Sequence, residues 1–130
     1  MRVLGIDTAT PAGSVALVED GEFGVEEVFP SAVAAVGQGA EKPNHAVELL
    51  SRIDALLCRA GITLAEVSAL GVSLGPGSFT GLRIGLSTVK GLAYGWQIPV
   101  AGVPTLLAMA MREVHFLTSL SPISARACLM

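Results

Sequence analysis

Charged and aromatic residues are scarce in this chain of 130 residues: 15% are Asp, Glu, Lys or Arg, and 5% are Phe, Trp or Tyr. Eight basic residues face eleven acidic ones, for a formal net charge of −3. A chain without a basic surplus has no general grip on a phosphate backbone, and few rings are left to stack on unpaired bases. This excludes autonomous nucleic-acid binding. The two cysteines, Cys58 and Cys128, lie far apart and in no Cys-x-x-Cys pair, so reduced thiols are expected, not a disulfide framework. No uncharged apolar run reaches the roughly 20 residues of a membrane span, because Arg83 and Lys90 break the longest candidate. Asp7 cuts the run Val3–Ile6 short of a signal-peptide core. The expectation is a cytoplasmic protein that does not touch a membrane. What is abundant is apolar, at 52%. That excludes intrinsic disorder. It also exceeds what a small globule needs, so some apolar surface should meet a partner or a further part of a chain.

The pattern of elements begins with three short strands, Arg2–Asp7, Ser14–Glu19 and Glu22–Phe29. Asp20-Gly21 is a two-residue hairpin signal, so these strands should form an antiparallel meander. Residues 30–43, rich in Ala, Gly and Val, read as a loop. Apolar residues at Ala46, Leu49, Leu50, Ile53, Leu56, Leu57 and Ala60 recur every three or four positions and predict a helix capped by Asn44 and ended by Gly61. A helical turn at Leu64–Ser68, a strand at Ala69–Leu74, a helix from Ser78 to Tyr94 closed by Gly95, a strand at Ile98–Gly102 and a helix beginning at Thr105–Met111 complete the order. Strands joined through helices pair in parallel. The expected fold is α/β, with a mixed five-stranded sheet like half of an actin or a ribonuclease H. Residues 1–111 read as one subdomain. Residues 112–130 lose the pattern and read as an atypical tail.

Three motifs bear on chemistry. Asp7, Thr8, Thr10, Gly13 and Ser14 stand at a strand end and hairpin, where an aspartate, hydroxyls and a glycine suit a nucleotide phosphate or equally satisfy the turn's own amides. His45 with Glu48 shares a helix face, but the position four after His45 is Leu49, so the second ligand of a metal helix is missing and no metal site is expected. The third motif, Gly75-Pro-Gly-Ser-Phe-Thr-Gly-Leu-Arg-Ile-Gly-Leu-Ser-Thr-Val-Lys-Gly-Leu-Ala-Tyr-Gly95, lacks the Gly-Lys-Ser/Thr of a P-loop. Its helix carries Gly81, Gly85, Gly91 and Gly95, each costing about 0.5–1 kcal/mol against alanine. Close approach of another helix is the expected compensation.

Together Gly5-Ile-Asp-Thr-Ala-Thr10, Asn44-His-Ala-Val-Glu-Leu-Leu50 and the glycine-bearing segment through Ala93 resemble the bacterial TsaB family, also called YeaZ, over about residues 1–110. The resemblance implies an actin-like fold and a non-catalytic scaffold subunit in the synthesis of threonylcarbamoyladenosine beside the tRNA anticodon. It implies a TsaD-like transferase as partner, a TsaE-like ATPase, a homodimer through the two predicted helices, and tRNA met only through the complex. ATP and metal would belong to the partner subunits, with no cofactor and no catalytic residue in this chain. By position, the partner or dimer face would comprise His45, Leu49, Arg52 and Ile53 on one helix and Phe79, Thr80, Arg83, Gly85, Leu86, Ser87 and Lys90 on the other. Family members are longer, and the stretch from about residue 112 departs from them, as a truncated or frameshifted product would. The competing readings are an actin-fold ATP-binding enzyme or kinase half using Asp7 and Thr8, and a glycoprotease-like peptidase, for which no nucleophile with a base is present.

Overall fold

In the alternating strands of this chain every second side chain is apolar, and the computed structural model places those side chains on one face of a single sheet. It describes residues 1–30 and 45–120. The elements are β1 (Arg2–Asp7), β2 (Ala12–Glu19), β3 (Glu22–Pro30), α1 (His45–Ala60), a 3-10 turn at Leu64–Glu66, β4 (Ala69–Ser73), α2 (Phe79–Trp96), β5 (Val100–Val103) and α3 (Thr105–Leu120). The sheet order is β3-β2-β1-β4-β5. The first three strands form the antiparallel meander, turned at Asp20 and Gly21 with φ of 51° and 81°. β4 adds to β1, and β5 to β4, in parallel.

Leu4, Ile6, Val15, Leu17, Leu70 and Val72 point from the sheet into the core, where Leu49, Ile53, Leu56 and Leu57 of α1 and Val89 of α2 meet them. Burying each such side chain contributes about 1.5–3 kcal/mol. The opposite sheet face is lined by Val3, Gly5, Asp7, Ser14, Ala16, Gly71 and Ser73, with Ala108 of α3 nearby.

Several boundaries differ from those the sequence predicts: β2 starts two residues earlier, at Ala12, β3 ends at Pro30, β4 ends at Ser73 and the helical turn ends at Glu66. α2 runs past Gly95 to Trp96, because Gln97 adopts the left-handed conformation at φ 55° and its Nε2 donates to the Tyr94 carbonyl at 2.7 Å. β5 starts at Val100, after Pro99. α3 continues through Arg112 to Leu120, across the expected start of an atypical tail. The predicted loop at residues 31–43, the Asn44 cap and residues 121–130 lie outside the described residues.

Candidate functional site

The third motif starts where β4 ends. Ser78 Oγ accepts from the Gly81 amide at 3.2 Å, capping α2, and the Ser78 amide donates to the Ala9 carbonyl at 2.7 Å. This pins the first turn of α2 to the chain leaving β1. Gly81 and Gly85 face that chain. A Cβ on Gly81 would overlap the Thr8 carbonyl oxygen, and one on Gly85 would overlap the Thr8 hydroxyl. Gly85 is therefore a packing residue of the interior, not part of a partner face. Gly91 and Gly95 have open space where a Cβ would stand. The four glycines divide into a pair for the fold and a pair free for something else.

The expected face loses two further members. Leu49 and Ile53 are 1% and 3% exposed and belong to the core. Their spacing reports the inward side of α1, which is the side any amphipathic helix must bury first. Leu86 is half-buried and packs on the core. Arg52 is half-buried and tied inward: its Nη1 donates to Glu27 Oε1 at 2.6 Å, and its guanidinium lies 5.6 Å from the Phe29 ring. The hydrogen bond to Glu27, with the charges of Glu27 and Glu48, holds its pKa above the ordinary value. His45 begins α1, and its side chain lies outside the described part.

What remains is a continuous outward stripe on α2. Phe79, Thr80, Arg83, Ser87 and Lys90 are all exposed, and Arg83 lies over the Phe79 ring at 5.0 Å. Tyr94, 84% exposed, extends the stripe by one turn. Beside it a groove of about 340 Å³ runs between the helices, lined by Leu50, Ser87, Thr88, Gly91 and Leu92. Leu50 and Val47 are exposed on the α1 side. The sequence does not single out Val47, Leu50 and Tyr94 as face residues, although continuing the Phe79–Arg83–Lys90 spacing leads to Tyr94; Gly91 is one of the glycines it marks for close approach of another helix.

The strand-end motif is mostly spent on the fold. Thr8 is buried, and its hydroxyl donates to the Gly81 carbonyl at 2.6 Å. Asp7 Oδ1 accepts from the Ala9 amide at 2.9 Å, and the Thr10 hydroxyl donates to the Ala12 carbonyl at 2.9 Å. Gly13 lets Phe29 approach: a Cβ there would stand 2.6 Å from the ring. Thr8 and Gly13 are thus corrected from phosphate-binding candidates to packing residues. Asp7 and Ser14 pair across β1 and β2 and border a hollow on the second sheet face. Among the described residues no group of three His, Cys, Asp or Glu side chains converges as a metal site would, and no helix is long and apolar enough to cross a membrane.

Known proteins resemble this chain in sequence and fold. Residues 40–128 match the family model described as TsaD, tRNA N6-adenosine threonylcarbamoyltransferase. The Escherichia coli tRNA threonylcarbamoyladenosine biosynthesis protein TsaB is 40% identical over 111 residues, which is 85% of this chain and 43% of that protein. The structure of YeaZ from Pseudomonas aeruginosa superposes with a TM-score of 0.72 at 35% identity, covering 88% of this chain and 48% of that one. RuvC from Thermus thermophilus shares the fold at a TM-score of 0.55 and 16% identity, covering 80% of this chain and 64% of that one. The chain spans about half the length of the curated relatives it matches. The fold is the ribonuclease-H-like and actin-like α/β class that the sequence pattern implies.

Proposed function

Because the chain belongs to the TsaB/TsaD family, we propose that it serves tRNA threonylcarbamoyladenosine biosynthesis as a non-catalytic docking subunit for a TsaD-like transferase. One observation carries the proposal: α1 and α2 present an outward face that none of the other described residues covers. Phe79 and Tyr94 offer ring area, Arg83 and Lys90 offer charge, and the groove at Leu50 and Gly91 admits a helix at close range. Aromatic and arginine anchors around an apolar groove are where interface energy concentrates. The same face would pair two copies in the absence of the transferase, and tRNA and a TsaE-like ATPase would be met through the assembled complex. ATP and metal would be held by those partners. The spent hydroxyls of Thr8 and Thr10 weigh against the ATP-binding alternative.

The test is association with a TsaD-like transferase, followed by light scattering. Complex formation by the parent chain and its loss in Leu50→Glu, with the helix content unchanged, support the proposal. A folded parent chain that forms no complex contradicts it.

A further inference from the structure

Among the described α-helices, α2 alone carries cations and no acid. Its charged side chains are Arg83 and Lys90, in a chain whose eleven acidic residues outnumber its eight basic ones. At about 100° per residue, Phe79, Arg83, Ser87, Lys90 and Tyr94 fall within roughly 80° of one another around the helix, and all five are exposed. Neither Arg83 nor Lys90 forms an ion pair among the described residues. The stripe is a local positive ridge on a negative molecule.

The Arg83 guanidinium is also oriented. It lies 5.0 Å from the centre of the Phe79 ring, one turn earlier on the same stripe. A guanidinium over a ring spends its face on the contact and keeps its N–H donors free at its edges. The ring thus fixes the fork without using a donor, and a side chain held in place beforehand loses less rotamer freedom on binding. A planar fork fits a planar acceptor with two oxygens, which is a carboxylate. Lys90 stands seven residues further on, about 10 Å along the axis, and offers a point charge to a second anion. Beside the stripe, Leu50, Gly91 and Leu92 make the groove apolar. Seven residues are two helical turns, so one face of a partner helix can hold two carboxylates at this spacing with an apolar strip beside them. RNA is a poorer match, because two cations neutralise only two phosphates and the groove has nothing to offer a sugar-phosphate backbone.

We infer that the docking face selects its partner by charge: the occupant is a helix with two carboxylates seven residues apart, one gripped by the Arg83 fork and one by Lys90. Phe79 is the positioning residue of the fork. The inference rests on the docking reading and adds the chemistry of the partner's surface.

The 130-residue chain is titrated calorimetrically with a TsaD-like transferase, and the complex is treated with a carbodiimide, which joins an amine to a touching carboxylate as an amide. Arg83→Lys, which keeps the charge and loses the fork, should bind about tenfold more weakly. Phe79→Leu, which keeps apolar bulk, should weaken binding about threefold, and that loss should vanish when Arg83 is already Lys. Raising salt from about 0.05 M to about 0.5 M should weaken the parent complex about tenfold. The cross-link should join Lys90 to an Asp or Glu of the transferase. A complex indifferent to Arg83→Lys, or one without a cross-link at Lys90, overturns the inference and leaves the docking reading, which Leu50→Glu tests, in place. Absence of any complex overturns both. Transfer RNA held by the parent chain alone and released by Lys90→Gln overturns the inference too, by making the stripe a phosphate site.

Discussion

Thr8 donates its buried hydroxyl to the carbonyl oxygen of Gly81 at 2.6 Å, and this one bond locks the start of the glycine-bearing helix onto the central strand. The contact leaves no room for a side chain at Gly81 or Gly85. Gly85→Ala should therefore destabilise the fold by about 1–3 kcal/mol, the usual cost of overpacking. Chemical denaturation measures it. An unchanged midpoint would mean that α2 does not sit against Thr8.

Gly91 is expected to behave in the opposite way. It lies in α2 with nothing within 4 Å of the point where a methyl group would stand, so Gly91→Ala should stabilise the isolated chain by about 0.5–1 kcal/mol through helix propensity. Gly91→Leu should leave stability near the parent value but weaken association with the transferase, because the groove then holds a bulky side chain. Denaturation and titration calorimetry separate the two effects.

The cap of α2 gives a third prediction. Ser78 Oγ accepts from the Gly81 amide, so Ser78→Ala should cost about 1 kcal/mol, read by the same denaturation. Ser78→Asp should restore most of it, since a carboxylate caps the same amide.

Stability should also fall with acid. The Thr63 amide holds the Glu66 carboxyl below its ordinary value, aided by the Thr63 hydroxyl and Arg2. The N-terminal ammonium does the same for Asp20. A carboxylate with a lowered pKa contributes stability that is present above its unfolded value and is lost as pH falls through its folded value. The loss should begin as pH drops below about 4.5, the ordinary value for a glutamate. Glu66→Gln should flatten that part of the profile by slightly lowering stability at neutral pH while leaving stability in acid near that of the parent chain, as measured by thermal unfolding across pH.

The meander and the two parallel strands are legible in the sequence because alternation and the Asp20-Gly21 turn are local signals. The apolar stripe of α1 is legible too, but its spacing does not say what covers it, and burial against the sheet claims Leu49 and Ile53 before any partner can. The glycines show why a spacing alone misleads. Gly81 and Gly91 are ten residues apart, which at about 100° per residue puts them roughly 80° apart around the helix. One pair faces Thr8 and the other faces outward, and only the position of β1 decides which is which. The extent of α3 escapes for a related reason. Leu106, Leu107, Met109, Met111 and Val114 are all substantially exposed, so the helix has no two-sided pattern to read and rests on good helix formers.

The central claim is that the outward face of α1 and α2 is where this chain meets a transferase of its own family. The most direct measurement is the dissociation constant of that pair by titration calorimetry, for the parent chain and for Tyr94→Ala, a residue 84% exposed and remote from the core. The account predicts a measurable complex that Tyr94→Ala weakens at least about tenfold, as removal of an interface anchor does, with no change in the stability of the free chain. Equal affinity for both, or no complex with either, would contradict it.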